Sequence, residues 1–201
     1  MIRVLDLFCG AGGCSVGYMR GFAAAGLDVE IVGVDNRPQP NYPYVFVQAD
    51  AMSFPLDGFD FIHASPPCQH YSTATAWRGN RDDHPDLVDA TRERLEASGV
   101  PWVIENVPGA PVRADYLLCG SAFGLNVRRH RMFETSWRGF SMSPPCRHSG
   151  LLPFEHKNER AYADALGCDW MTVQEGRQAI PTAYTAFLAS QIAPALTEDA
   201  A

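Results

Sequence analysis

Apolar positions along the chain gather into short runs that end at glycine, proline or an acid. Ile2 to Phe8 reads as a strand that runs directly into Cys9-Gly10-Ala11-Gly12-Gly13, and a helix follows to about Ala25, stopped by Gly26. Strand, glycine turn and helix form the opening of a nucleotide-binding α/β unit. Ile31 to Val34 is a second strand ending at Asp35, Tyr44 to Val47 a third followed by Asp50, and Phe59 to His63 a fourth. The fourth feeds the turn Ala64-Ser65-Pro66-Pro67-Cys68-Gln69. A helix over Pro85 to Ser98 and a fifth strand over Pro101 to Ile104 come next, then strand candidates at Tyr116 to Leu118 and Val127 to Phe133. Alternation in the last places Arg129, Arg131 and Phe133 on one face and Arg128, His130 and Met132 on the other. A short helix over Asn158 to Leu166 and a longer one over Thr182 to Leu196 close the pattern. The alternation predicts an α/β fold with a mostly parallel, twisted sheet and helices on both faces.

Length and composition narrow the class. A chain of 201 residues, 46% hydrophobic, suffices for one well-buried domain. No window approaches a membrane span, and the chain opens on a strand without a leader-like segment, so a soluble, cytoplasmic protein is expected. The six cysteines form neither a CxxC pair nor a dense regular framework, which fits reduced thiols. A net charge of -7 argues against a uniformly basic surface, yet residues 128–160 carry seven basic against three acidic side chains. That stretch, with Arg128 and Arg147 in it, is a candidate phosphate track.

Chemistry-bearing residues recur at strand ends. Asp35, Asp50, Cys68 and Glu105 each follow an apolar run, at the edge where open α/β sheets bind ligands. Two prolines hold Cys68 on a turn and out of any helix, so its thiol is displayed as a nucleophile. Glu105, if buried, would be kept protonated by desolvation and donate a hydrogen bond. Thr73 to Asp83 is polar and reads as a loop able to close over a substrate. Cys146 and His148, with His156 and Cys168, offer four zinc ligands, but their spacing fits no standard finger and no metal is assigned.

Taken together, these residues resemble the DNA cytosine 5-methyltransferases. Asp6-Leu7-Phe8-Cys9-Gly10-Ala11-Gly12-Gly13 is similar to the family's first motif, Pro67-Cys68-Gln69 to its nucleophile motif and Glu105-Asn106-Val107 to its Glu-Asn-Val motif. Phe123 to Phe133 resembles the Gln-x-Arg-x-Arg segment, with Arg129 and Arg131 in the arginine positions. Met171 to Arg177 is similar to the segment that supports target recognition. The resemblance implies a Rossmann-like methyltransferase fold with a small irregular insertion, and S-adenosyl-L-methionine as cofactor. Asp6, Phe8, Gly10, Gly12, Gly13, Asp35, Asp50 and Pro66 would hold that cofactor. Cys68, Glu105, Arg129 and Arg131 would be catalytic, with Gln69, Ser72, Arg128 and Arg147 contacting double-stranded DNA. It further implies a flipped base, with the loop after Cys68 as lid.

Three departures qualify the resemblance. The glutamine of Gln-x-Arg-x-Arg is Val127, the recognition insertion over Glu134 to Trp170 is short, and Ile180 to Thr185 lacks the asparagine of the last motif. Since that motif normally lies near the donor methyl, a carboxylated S-adenosylmethionine is a second candidate donor, with Arg177 as its cation by sequence position. The same residues also admit an RNA cytosine methyltransferase, or a catalytically idle DNA-binding protein. The expected organisation is a catalytic and cofactor-binding core over 1–133, an insertion over 134–170 and a returning segment over 171–201, acting as a monomer of the compact kind that phages and restriction systems encode.

Overall fold

The computed structural model describes residues 1–72, 80–137, 145–150 and 159–198. Seven strands form one sheet in the order β3-β2-β1-β4-β5-β7-β6. The parallel strands are β1 (Ile2–Leu7), β2 (Val29–Asp35), β3 (Val45–Gln48), β4 (Phe61–Ala64) and β5 (Trp102–Asn106). An antiparallel strand, β7 (Arg131–Thr135), is inserted between β5 and β6 (Tyr116–Leu118). The strand order reverses between β1 and β4, so a crevice opens beyond their carboxyl ends. Both the Gly10 turn and the Cys68 turn leave the sheet there.

Alternate residues of β1 serve two cores. Ile2 and Val4 face α1 (Gly13–Ala24) and α5 (Thr182–Glu198), packing with Tyr18, Phe22, Phe61, Tyr184 and Leu188. Leu5 and Leu7 face the opposite layer, where α2 (Val88–Ser98) contributes Val88 and Leu95. Burying each such side chain contributes about 1.5–3 kcal/mol, and two-sided burial is why these strands read as continuous apolar runs. The two helices of the first layer approach closely because α1 carries glycine at the contact. A Cβ on Gly21 would lie 2.5 Å from the Ala186 carbonyl oxygen of α5.

Two short helices, α3 (Glu159–Ala165) and α4 (Val173–Gln178), complete the described elements. α4 begins with a capping box, in which Thr172 accepts from the Glu175 amide while the Glu175 carboxylate accepts from the Thr172 amide. A third apolar cluster joins Ala11 of the glycine turn and Val127 to Tyr162, Leu166, Cys168 and Met171. Val127 is fully buried in it. That surrounding is apolar, which accounts for a valine where the resembling family carries glutamine.

The structure shifts several expected boundaries. Arg128 to His130 lie outside the ladder, and β7 begins only at Arg131. The predicted shared face of Arg129, Arg131 and Phe133 is therefore not built by one strand. α2 starts at Val88, its amide bonded to the Asp86 side chain at 3.3 Å, and not at Pro85. Of the expected lid, residues 73–79 lie outside the described residues; Arg81–Asp83 forms a single 3-10 turn. Glu134, counted as an acid of the basic stretch, is buried and paired with Arg92 at 2.9 Å and Arg113 at 3.3 Å.

Candidate active site

The turn after β4 is pinned from β5. Asn106 Nδ2 donates to the Pro66 carbonyl at 3.0 Å, while its Oδ1 accepts from the Val107 amide at 2.9 Å. Pro66 is buried, and the Cys68 carbonyl accepts from the amides of Tyr71 and Ser72 at 3.1 and 2.9 Å. Proline stiffness, one buried amide and a tight turn thus fix the half-buried Cys68 beyond the sheet edge.

Glu105 sits next to Asn106 on β5 and is 5% exposed. Its Oε1 is 3.0 Å from Arg131 Nε, an ion pair that links β5 to β7. Burial pushes the Glu105 carboxyl up, opposed by Arg131, by a Ser65 hydrogen bond and by Arg129. Burial also pushes the Cys68 thiol up; the Glu105 charge adds to this, and Arg131 and Arg129 oppose it. The four residues expected to be catalytic are therefore electrostatic neighbours. Two negative charges at Cys68 and Glu105 disfavour each other, so ionising one favours the protonated form of the other.

Arg129 reaches away from the pair. Its Nη2 donates to the Gln178 carbonyl at 3.0 Å, and its guanidinium lies over the Tyr162 ring, 5.9 Å from the centroid. Its buried Nε has no partner among the described residues. Behind Glu105, a chain of side chains runs inward through His63, a residue flanking the Cys68 turn. Ser65 Oγ is 2.9 Å from His63 Nε2, whose Nδ1 is 2.9 Å from the Tyr18 hydroxyl. Burial lowers the His63 pKa to about 3, so its imidazole is neutral and holds Ser65 in place.

Beside this cluster the glycine turn leaves β1. Phe8 adopts a left-handed φ of 58°, which strains a bulky residue and reverses the chain after Leu7. Gly10, with φ 49°, has nothing within 4 Å of where a Cβ would stand, so the turn faces open space. Gly12 caps α1 in the left-handed region, and the Gly13 backbone lies against Ile180, whose carbonyl oxygen would be 2.6 Å from a Cβ there. The Ile180 segment, which stands where the resembling family has its last motif but lacks the asparagine, therefore packs on the glycine turn. Asp35 accepts from the Gly10 amide at 3.1 Å and from the Arg37 amide at 2.9 Å, tying the end of β2 to that turn.

Asp6 is the buried acid of the turn. Its Oδ2 accepts from the Ser15 hydroxyl, itself 2.6 Å from the Tyr42 hydroxyl, while its Oδ1 is buried without a partner among the described residues. Burial, with Asp35 nearby, raises the Asp6 pKa to about 7 against the Ser15 hydrogen bond. An orphaned buried oxygen, an open glycine turn and a helix amino terminus fit a nucleoside cofactor with a cationic amino-acid end.

The remaining expected residues scatter. Asp50 is exposed after β3, and its Oδ1 accepts from the Met52 amide at 2.9 Å, a turn-forming role. Gln69, Arg128 and Arg147 are exposed and Ser72 is half-buried. Arg177 is exposed on α4. Cys168 is fully buried in the third cluster, its Sγ 3.8 and 3.9 Å from the Leu166 and Ile180 carbonyls, and is not gathered with Cys146 and His148. His156 lies outside the described residues. The four ligand types that the sequence offered, to which it assigned no metal, are thus not the ones the fold gathers among the described residues.

Among known proteins, the model of the C-5 cytosine-specific DNA methylases matches residues 2–110. No curated protein matches the chain. Among solved structures it is similar to a DNA modification methyltransferase encoded within an E. coli prophage, at 23% identity over 66% of this chain and 45% of that one, TM-score 0.47. It is also similar to the Entamoeba histolytica methyltransferase EhMeth, at 15% identity over 83% and 64%, TM-score 0.48. An RNA methyltransferase from Salinibacter ruber in complex with S-adenosyl-L-homocysteine matches at 12% identity over 72% and 86%, TM-score 0.37. The chain spans 45% and 64% of the length of the first two. No helix among the described residues is long and apolar enough to cross a membrane. With more than half of its length matched by the family model, the chain belongs to the C-5 cytosine-specific DNA methylases.

Proposed function

We propose that this protein transfers a methyl group from S-adenosyl-L-methionine to carbon 5 of cytosine in double-stranded DNA, through a covalent adduct at Cys68. The observation that carries this reading is the convergence of a fixed thiol, a buried carboxyl with raised pKa and the guanidinium of Arg131 at one sheet edge. Cytosine carbon 5 is a poor nucleophile until something adds at carbon 6. Attack there by the Cys68 thiolate breaks the ring's carbon 5–carbon 6 double bond and leaves an enamine nucleophilic at carbon 5. Glu105, protonated, donates to the ring nitrogen and so takes up the charge that the addition creates. Arg131 binds the base carbonyl oxygen and lowers the cost of the thiolate.

Protonation in the cluster favours this pairing. Thiolate with neutral Glu105 places one negative charge among two guanidinium groups, whereas thiolate with carboxylate places two close together. Asp6, Phe8, Gly10, Gly12, Gly13 and Asp35 are the residues that would hold the cofactor. When bound there it supplies an electrophilic methyl group for carbon 5. A solvent base then takes the carbon 5 proton, the electron pair of that bond re-forms the carbon 5–carbon 6 double bond, and Cys68 leaves carbon 6 as thiolate, which restores the aromatic ring. Because a stacked base hides carbon 6, the target is read as flipped out of the duplex. Gln69, Ser72, Arg128 and Arg147, none of them buried, are the residues that would contact the DNA.

Nucleoside mass spectrometry on plasmid DNA from cells expressing the protein, beside cells expressing Cys68→Ala, tests the proposal. A methyl increment on deoxycytidine confined to the unaltered protein is expected. Unmodified DNA with methylated cytidine in the RNA pool, or a methyl increment that survives Cys68→Ala, would overturn the substrate or the mechanism respectively. An acidic increment larger than methyl would replace the donor.

A further inference from the structure

We propose that Cys119, His130, Cys146 and His148 form a structural zinc site that fastens the segment 145–150 to the sheet edge beside Arg131. Their four ligand atoms lie within 4.8 Å of one another. The residues come from three separate places: Cys119 follows β6, His130 precedes β7, and Cys146 and His148 belong to the segment after β7. Cys119 Sγ is 3.5 Å from His148 Nε2, and Cys146 Sγ is 3.6 Å from His130 Nε2. Zinc bonds of about 2.3 Å to sulfur and about 2.0–2.1 Å to nitrogen, at tetrahedral angles, separate a sulfur and a nitrogen ligand by about 3.5 Å. The Cys119–His148 and Cys146–His130 pairs have that spacing. The two imidazole rings stand perpendicular with centroids 5.0 Å apart, each offering Nε2 toward a sulfur.

The donor set selects the metal. Two thiolates and two imidazoles suit a borderline-soft cation in a closed tetrahedron, and hard cations that need six oxygen ligands do not fit. Two thiolates also balance the charge of a divalent ion, so occupancy adds no net charge to a stretch already rich in arginine. All four positions come from the protein, which leaves none for a reacting water and makes the site structural.

The segment needs such a fastening. Every residue from Pro145 to Gly150 is exposed, so apolar burial does not hold it. Its Arg147 amide donates to Ser121 Oγ at 3.0 Å, and Ser121 Oγ lies 3.4 Å from Cys119 Sγ, which brings the backbone round the same centre. His130 is bonded through its carbonyl to Arg131 Nη1 at 2.8 Å. A metal on His130 therefore fixes the chain entering β7 and, with it, the arginine that faces Glu105.

The test uses the full chain purified under reducing conditions without chelator, with metal measured by mass spectrometry and cobalt as a spectroscopic probe. One zinc per chain is expected in the unaltered protein and in Cys168→Ala. Cys146→Ser and His148→Ala change exposed side chains and should leave the fold intact by circular dichroism while zinc falls to a small fraction of that. Cobalt should give tetrahedral d–d bands with thiolate charge transfer. The proposal is overturned by a chain that carries no zinc and takes up none on titration, by full zinc retention in Cys146→Ser, by an octahedral cobalt spectrum, or by a Cys119–Cys146 disulfide in the reduced preparation. None of these readouts depends on methyl transfer.

Discussion

Arg131 Nε lies 3.0 Å from Glu105 Oε1, and this ion pair joins the last parallel strand to the antiparallel strand beside it. Both groups also act on Cys68, in opposite directions. Removing the Glu105 charge therefore makes the thiolate easier to form. In Glu105→Gln, alkylation of Cys68 by iodoacetamide should reach half its limiting rate at a lower pH than in the unaltered protein, while methyl transfer falls by about 10²–10⁴-fold for lack of the acid. Arg131→Ala should move the alkylation midpoint upward. Midpoints that do not separate in these opposite directions would show that the three groups are not coupled.

Cys68→Ala removes the sulfur and leaves the turn, whose hydrogen bonds are made by its backbone. Turnover should fall by about 10⁴-fold or more, as expected when a covalent nucleophile is deleted. Titration calorimetry with S-adenosylmethionine should still show binding within about threefold of the unaltered affinity, a difference of about 0.7 kcal/mol. Loss of cofactor binding would mean that Cys68 belongs to the cofactor pocket.

Asn106 acts on the thiol through the Pro66 carbonyl. Asn106→Ala leaves that buried acceptor unpaired, at a stability cost of about 1–3 kcal/mol, and frees the turn to shift. A displacement of about 1 Å at a reacting atom costs about 10²-fold in rate, so kcat should drop by that order while the cofactor affinity holds. Measured together, a lower kcat with unchanged thermal stability would contradict the buried hydrogen bond.

Some of this was legible in the sequence because it is local. The glycine turn, the two prolines before Cys68 and the acid ending β5 are contiguous, and each constrains its own backbone. The mostly parallel sheet followed from apolar runs buried on both faces. What escaped depended on residues brought together across the fold. Asn106 was visible as part of the Glu-Asn-Val motif, but what it holds shows only when Pro66 stands opposite, 40 positions earlier in the chain. His63 reads in sequence as a structural residue beside the Cys68 turn, but its partners Tyr18 and Ser65 on the two nitrogens appear only in the fold. Cys146 and His148 were visible as ligand types, but their partners Cys119 and His130 are set by β6 and β7 pairing, not by spacing, and Cys168 is taken by an apolar cluster.

Glu134 is 1% exposed and held between Arg92 and Arg113, with its Oε2 also accepting from the Arg113 amide at 2.8 Å. Glu134→Ala leaves two arginines facing a void without their counter-charge. Breaking a buried pair by removing one partner costs about 3–5 kcal/mol, and the partial exposure of both arginines places this case toward the lower figure. Urea denaturation should show that loss, and a change below about 0.5 kcal/mol would mean that solvent already screens the network.

Asp6 links stability to pH in a direction opposite to a salt-bridged acid. Its carboxyl ionises near 3.8 when unfolded and near 7 when folded, so the folded chain holds the extra proton between those values. The stability this group contributes is complete below about pH 4 and is lost as pH rises through 7, a total of up to about 4 kcal/mol. Asn in this position keeps an oxygen for the Ser15 hydroxyl but cannot ionise. Urea denaturation of the cofactor-free protein from pH 4 to pH 8 should therefore show Asp6→Asn gaining on the unaltered chain as pH rises, with most of the gain complete by pH 8. Parallel curves for the two proteins would mean that Asp6 ionises at its ordinary value, and that its orphaned oxygen is solvated in the free enzyme.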